Sequence, residues 1–446
     1  MNKIVYLNPN TQIIPIKDKL FLALNPNIRN GLKLINEHQL KVLKNIDNET
    51  DVAEIAKRTD HTEEVIIKLI DIFNEIEISG YSQNFNTPPL PDKVENIDFW
   101  VHTTDACNFN CPYCYIDKTT GKNMSNETLN KFIKKIIKVV KHRKLSEVSL
   151  RFSGGEPFIR FHEIKKAILN LKEGLKVLDC KTNFGFLTNL TLLNKEIMDF
   201  IKQEDLFTSI SLDGYGEYHN NTRHFNNGKG SFDIIDKNIN TLLENGHKRI
   251  IIMTVISDRN IDGLTDFAHY LAKKNIPFRF SIVTGEEINI EKLKQKLFEV
   301  YDIFEHYIKN STYAFARNHH LDDLRLLRPS HLPCSAGQNS GSLNTDGKIY
   351  FCQQELGNSN NSGSIFDQND LIENIQSKQA WHTPLHQDCG NCQYRYVCSG
   401  GCPLFRINGK SPHCSLYKEL LPRIYQLIGL ERYYRLKKSP KPEMHK

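Results

Sequence analysis

Residues 97–115 read IDFWVHTTDACNFNCPYCY. FWVHTT (Phe99–Thr104) has the apolar, β-branched character of a strand. Where it stops, three cysteines follow, Cys107, Cys111 and Cys114, with three and then two residues between them. The stretch is the first member of a series. Ser125–Lys144 reads as a helix, and then strand and helix alternate: VSLRFSGG with His162–Leu178, TNFGFLTN with Asn194–Glu204, TSISLDG with Phe232–Asn245, RIIIMTVIS with Ile261–Lys274, and PFRFSIV with Ile290–Lys309. Near-continuous apolar strands such as IIIMTVI are expected when helices cover the outside of a parallel sheet. Six strand–helix units predict an α/β fold, an open, partial (β/α)6 version of the eight-unit barrel, over residues 93–312.

Outward from this block the pattern changes on both sides. Residues 1–90 predict short strands at IVYL and IIPI…LFLAL, helices over Asn36–Ile46, Asp51–Arg58 and Glu63–Ile76, and a wing strand at ISGY, the outline of a winged helix. The proline-dense TPPLPDK (Thr87–Lys93) closes that unit. After Asn310 cysteine, glycine and short strands such as KIYFC take over, with one helix at Tyr417–Ile428, so residues 313–428 read as a third, cysteine-rich domain and 429–446 as a basic tail.

The composition narrows the function classes. The chain has 446 residues, 39% hydrophobic and 25% charged, an ordinary globular balance. No apolar run reaches the ~18 residues of a membrane span, and the N-terminus has no signal-peptide pattern, so a cytoplasmic location with no membrane partner is expected. The net charge is +6. Glu431–Lys446 holds six Lys/Arg against two Glu, or +4, which leaves the rest near neutral with no general footprint for nucleic acid. Eleven cysteines, clustered in a long chain, point to metal or iron–sulfur ligation and away from a disulfide scaffold.

Structural zinc takes four protein ligands. Three thiolates with no fourth nearby suit a 4Fe–4S cluster with one open iron, a zinc knuckle being the alternative. With Tyr113 before the last cysteine, the spacing resembles the radical S-adenosylmethionine (SAM) superfamily. The resemblance implies that SAM chelates the open iron and is cleaved to a 5′-deoxyadenosyl radical. SGGEP (Ser153–Pro157) looks like the family's SAM-binding GGEP, which places Gly154, Gly155 and Glu156 at the cofactor. Ser211 and Arg223 match positions that in relatives contact the SAM ribose and carboxylate. Thr188 and Asn189 end the third strand. That strand departs from the family pattern at Leu190, reading TNL where many relatives read TNG. All these motifs fall at strand C-termini, the face where barrel active sites assemble.

Further on, Cys334 is followed by twelve residues, Gly347, four residues and Cys352, and then come Cys389, Cys392, Cys398, Cys402 and Cys414. This resembles the SPASM extension of radical SAM enzymes acting largely on peptides. The resemblance implies two auxiliary 4Fe–4S clusters, three clusters in all, one bound by Cys389, Cys392, Cys398 and Cys414 and the other by Cys334, Cys352 and Cys402. SAGQNS (Ser335–Ser340) lacks the extra cysteine of some relatives. The three-cysteine cluster therefore has an open iron or a non-cysteine ligand. Cys180 fits no motif and is expected to be buried among apolar residues.

The N-terminal unit carries ten Lys/Arg and twelve Asp/Glu, a balance of −2, and its third helix holds Glu63, Glu64, Asp71, Glu75 and Glu77 against Lys68. Phosphate would repel that helix. The unit instead resembles the peptide-recognition element of ribosomal peptide biosynthesis, which binds a leader by strand addition. The combined reading is an enzyme that installs a radical-derived modification (a thioether, a carbon–carbon or carbon–oxygen crosslink, or an epimerised residue) in a precursor peptide. Its implied partners are the precursor's leader and an electron donor such as flavodoxin or ferredoxin. The reading names no catalytic residue outside the clusters. Deleting the N-terminal unit is expected to leave SAM cleavage intact. One rival is an anaerobic sulfatase maturase, which has Asp after the second SPASM cysteine where this chain has Gln353. The other is an iron–sulfur redox-sensing winged-helix regulator.

Overall fold

The computed structural model describes residues 3–438 apart from 48, 90–92, 119–120, 360 and 378–384. Part of the proline-dense connection and residues 439–446 of the basic tail thus lie outside the described residues.

The N-terminal unit runs β1 (Ile4–Leu7), β2 (Gln12–Lys17), β3 (Leu20–Leu24), β4 (Leu32–Asn36), α1 (Glu37–Lys44), β5 (Thr50–Asp51), α2 (Val52–Thr59), α3 (Glu63–Asn74) and β6 (Ser79–Gly80). Asn36, Asp51 and Thr62 cap the three helices through their side chains. β1 pairs antiparallel with β5 on one side and with β6, from the ISGY stretch, on the other. β2, β3 and β4 form a separate antiparallel sheet. β4 and β5 lie outside the predicted elements.

The barrel runs β7 (Asn96–His102), α4 (Asn126–Arg143), β8 (Glu147–Ser153), α5 (Phe161–Leu175), β9 (Lys181–Thr188), α6 (Lys195–Gln203), β10 (Phe207–Ser211), α7 (Glu217–Asn220), α8 (Phe232–Glu244), β11 (Ile250–Ile256), α9 (Leu264–Lys274), β12 (Phe278–Ile282) and α10 (Ile290–Asn310). Helix α4 shows how the sequence sets its limits. Ser125 accepts from the Thr128 N–H, Lys144 ends the helix in the left-handed conformation, and Leu129, Phe132, Ile133, Ile136, Val139 and Val140 make the buried stripe. The six strands stand side by side in parallel, in the order β12-β11-β10-β9-β8-β7. Along β11 buried and half-buried residues alternate, so one face of the open barrel is incompletely covered.

The sheet continues into the cysteine-rich region, made of β13 (Ser340–Leu343), β14 (Lys348–Tyr350), β15 (Gly363–Ser364), α11 (Leu371–Gln376), α12 (Gln387–Gly390), α13 (Arg395–Cys398) and α14 (Cys414–Lys438). β13 adds parallel to β7, with Ser340 opposite Asp98 and Leu343 opposite Val101, and β14 and β15 follow antiparallel. The cysteine-rich region therefore shares a backbone ladder with the barrel. Helix α14 also corrects the expected tail. It continues ten residues past Ile428, with Gly429, Leu430 and Glu431 buried, because its apolar side packs on β2–β4 and Glu431 accepts the Ala316 N–H at 2.6 Å. Among the described residues no helix is long and apolar enough to cross a membrane.

Candidate active site at the strand C-termini

The cysteine loop leaves β7 and folds back on the loops after β8 and β10. His102 pairs with Asp105 at 2.6 Å, and the Ala106 N–H donates to Thr104 Oγ1 at 3.0 Å. Asn226 Nδ2 donates to the Cys107 carbonyl at 3.1 Å, the Asn110 N–H donates to the His224 carbonyl at 3.0 Å, and Phe109 packs edge-on against Phe225. Cys107, Cys111 and Cys114 are unpaired, half-buried thiols that feel one another's charge. Burial pushes the Cys107 thiol up to about 11 and raises Cys111, while Lys118 opposes the shift at both and Arg223 opposes it at Cys111.

The GGEP segment has a structural duty alongside its expected one. Gly154 has φ +152°, and a Cβ there would run into the Thr104 carbonyl; one on Gly155 would run into that of Ala106. The lack of side chains lets the Gly155 N–H reach the Thr104 carbonyl at 2.6 Å and the Glu156 N–H reach that of Ala106 at 2.9 Å. The close approach is to the cysteine loop itself. Glu156 is fully buried and accepts from Thr188 Oγ1 at 2.7 Å, the Asn189 N–H at 2.8 Å and the Phe158 N–H at 3.1 Å. Burial pushes its carboxyl up to about 7 against those three donors. Asn189 Nδ2 reaches Asn108 Oδ1 at 2.8 Å, which ties the third strand's loop to the cysteine loop.

Ser211 is buried at the end of β10. Arg223 meets Tyr113, a contact the sequence did not suggest, with its guanidinium 5.4 Å from the ring centroid. Between them stands Asp213, a residue the motif reading quoted but gave no role. Its carboxylate accepts the Tyr113 hydroxyl and lies 2.9 Å from Arg223 Nε. Burial works against the Arg223 charge, but Asp213 and Tyr113 outweigh it and hold the guanidinium protonated. The sequence signal for Asp213 was its place in SLDG, ten residues before Arg223.

In the cysteine-rich region, Cys352 feels the charges of Cys334 and Cys402, while Cys389 and Cys398 both feel Cys392 and Cys414. Among the described residues, however, no group of three or more Cys, His, Asp or Glu side chains is arranged to hold a metal ion, so these thiols are near enough to sense one another's charge without forming a closed ligand set. Burial is the largest influence on Cys334, Cys352 and Cys402 and raises all three thiols, Cys352 to about 12 and Cys402 to about 11. Tyr115 senses cysteines from both cysteine groups. It is 43% exposed as a residue, yet its hydroxyl is raised first by desolvation and then by both Cys114 and Cys352. Asp323, to which the sequence gave no role, is a half-buried carboxyl that accepts the Tyr417 hydroxyl at 2.9 Å and lies near Cys402. Cys180 is half-buried and not enclosed as expected, because it follows the end of α5 in an exposed turn, next to exposed Asp179 and Lys181.

Residues 101–271 match the sequence model of the radical SAM superfamily. This stretch is a radical SAM domain. It belongs to a class of enzymes that use SAM and 4Fe–4S clusters, and the Cys107–Cys111–Cys114 triad fits that use with three free thiols on one loop. Among relatives, the radical SAM cyclopropyl synthase TigE of Paramaledivibacter caminithermalis is 24% identical over 424 residues, 86% of either chain. A cysteine-type anaerobic sulfatase-maturating enzyme of Clostridium novyi is 24% identical over 318 residues, 66% of this chain and 84% of that one. The structure of anSMEcpe with bound AdoMet and Cp18Cys peptide superposes with a TM-score of 0.62 at 20% identity, covering 76% of this chain and 99% of that one, which establishes a shared fold.

Proposed function

We propose that the protein is a radical SAM peptide maturase that modifies a ribosomally made precursor recognised through its N-terminal unit. The observation that carries this reading is the extent of the likeness to TigE. Its 86% of the chain is about 384 residues, more than the 350 from residue 97 onward, so the alignment takes in part of the N-terminal unit. The likeness to the Clostridium novyi maturase, at 66% of the chain, has no need of it.

In this reading Cys107, Cys111 and Cys114 hold the cluster that supplies reductive SAM cleavage. Gly154, Gly155, Glu156, Tyr113, Ser211 and Arg223 shape the cofactor's site. Cys389, Cys392, Cys398 and Cys414 hold one auxiliary cluster, and Cys334, Cys352 and Cys402 the other. The influence of both Cys114 and Cys352 on the Tyr115 hydroxyl supports a reacting residue of the substrate bound between the barrel cysteines and Cys334, Cys352 and Cys402. Helix α3 keeps Glu63, Glu64, Asp71 and Glu75 exposed while Ile66, Ile70 and Phe73 are buried, which favours a leader with basic residues and disfavours DNA. TigE's chemistry makes carbon–carbon bond formation the favoured modification.

The test is incubation of anaerobically reconstituted, reduced protein with SAM and short precursors encoded beside its gene. The reading expects 5′-deoxyadenosine and a mass change in one precursor that depends on its leader. Turnover of a sulfatase-derived peptide and of none of the precursors would favour the maturase reading. Steeply salt-sensitive duplex binding would favour the regulator.

A further inference from the structure

Asp213 is fully buried and held from every side. Its Oδ1 accepts the Val255 N–H at 2.9 Å, and its carbonyl accepts from Asn260 Nδ2 at 2.7 Å. Its own N–H donates to His219 Nδ1 at 3.1 Å. That bond fixes the tautomer of His219, a buried ring that desolvation pushes down to about 3, so its proton sits on Nε2 and points to Ser231 Oγ at 3.0 Å. Ser231 in turn donates to the Arg223 carbonyl at 2.7 Å. A closed ring results. Asp213 reaches Arg223 directly through its carboxylate and again, through His219 and Ser231, at the main chain. The carboxylate's remaining partner is the Tyr113 hydroxyl, next to the third cluster cysteine.

The geometry points to Asp213 as a positioning residue: it fixes Arg223 to receive the carboxylate of SAM and couples that arginine to the cysteine loop through Tyr113. A buried ion pair is a poor device for stability alone, since desolvation of both charges offsets their attraction. Its value lies in geometry. The carboxylate lies 2.9 Å from Nε, the guanidinium nitrogen nearest the side chain, as an ion pair without an aligned hydrogen bond, and the terminal Nη fork is the part suited to a second, planar carboxylate. Tyr113 under the same guanidinium restricts its tilt. The cofactor's carboxylate and the cluster's loop are thereby referred to one fixed oxygen. This inference rests on the reading that Arg223 meets SAM.

The test uses the reconstituted full chain with Asp213→Asn, Tyr113→Phe, the pair combined, and Arg223→Gln. Three quantities are read: iron content, SAM dissociation constant by equilibrium dialysis, and the change that SAM causes in the EPR spectrum of the reduced barrel cluster. D213N is expected to keep the wild-type iron content and SAM-free spectrum, to bind SAM at least tenfold more weakly and to lose the SAM-induced change. Y113F is expected to lose several-fold in affinity, and the double variant to be no worse than D213N, because Tyr113 acts through Asp213. Wild-type SAM affinity in D213N overturns the inference, as do losses that simply add in the double variant or iron lost from both single variants. Should D213N alone shed iron, Y113F decides: reduced SAM affinity with full iron upholds the coupling, and unchanged affinity overturns it. If R223Q binds SAM normally, the underlying assignment of Arg223 fails, a result distinct from failure at Asp213.

Discussion

Asn27 and Tyr396 meet across 369 residues of chain: the Tyr396 N–H donates to Asn27 Oδ1 at 3.2 Å, and Asn27 Nδ2 donates to the neighbouring Gln393 carbonyl at 3.0 Å. Tyr394 adds a bond from its hydroxyl to Gln12 Oε1 at 2.9 Å. The N-terminal unit thus grips the turn between Cys392 and Cys398, two of the proposed cluster ligands. Ile14, Leu22, Leu24 and Leu32 also bury into the main core. A unit anchored this way is not a detachable reader.

Asn27→Ala strands a buried amide and carbonyl, and the expected cost is about 1–3 kcal/mol. Urea unfolding followed by loss of the iron–sulfur absorbance should show the drop. Deleting residues 1–90 is expected to bare the apolar face of α14 and reduce bound iron, so SAM cleavage should fall with it, in place of the independence that the sequence suggested. A truncated chain with full iron would contradict this.

Leu190 combines a left-handed backbone, φ 62°, with complete burial of its side chain. The conformation costs roughly 1–2 kcal/mol for a non-glycine residue. The conformation is held by the Leu190 N–H donating to Thr188 Oγ1 at 2.8 Å and by the Leu190 carbonyl accepting from Asn238 Nδ2 at 2.9 Å. Leu190→Ala is expected to destabilise by about 2–5 kcal/mol through the vacated core space. Leu190→Gly should be no worse than Leu190→Ala, the reverse of the usual order, because glycine takes this backbone without strain. Thermal melts of the two variants check the ranking.

The six strand–helix units were legible because their apolar periods are strong and their caps are conventional; Ser125, Asn194 and Asn289 each cap where the pattern begins. The continuation of α14 was not, since Gly429 reads as a helix stop and Arg432, Arg435, Lys437 and Lys438 read as solvated charge. The β2–β4 sheet that covers this turn lies 400 residues upstream. Addition of β13 to β7 is equally a matter of distant pairing, with four residues too few to show a period. At the site, residue types were readable and roles were partly displaced. Gly155 is needed against Ala106, and Glu156 fastens β9, because backbone proximity between loops leaves no mark in local composition.

Glu156 gives a pH signature. Its folded carboxyl is raised to about 7 from 4.5, so folding favours the protonated form. The stability it contributes is complete below about 4.5 and is lost as pH rises through about 7, with a limiting slope of about 1.4 kcal/mol per pH unit. Glu156→Gln stays neutral and also faces the Asn189 and Phe158 N–H groups with one acceptor oxygen in place of two. The variant should be less stable than the wild type at pH 5.5, and the gap should narrow towards pH 8. A gap that is constant with pH would show that the carboxyl titrates normally.

The proposed three- and four-cysteine ligand sets make a prediction about iron that their order in the sequence complicates. With three four-iron clusters, full occupancy is about twelve iron atoms per chain. Replacing Cys107, Cys111 and Cys114 by alanine should remove about four of them and all SAM cleavage, since that loop shares no thiol with the other two sites. The auxiliary sites are interleaved. In the sequence Cys402 lies between Cys398 and Cys414, and Gly401 packs closely against Asp323, whose charge is felt by Cys334, Cys398 and Cys402. Triple replacement of Cys334, Cys352 and Cys402 is therefore expected to remove at least four irons and to loosen the four-cysteine cluster as well, seen as faster iron release to a chelator. The barrel cluster should survive it and still cleave SAM without modifying peptide. Zinc in place of iron, or saturation near four iron atoms, would refute the auxiliary assignment.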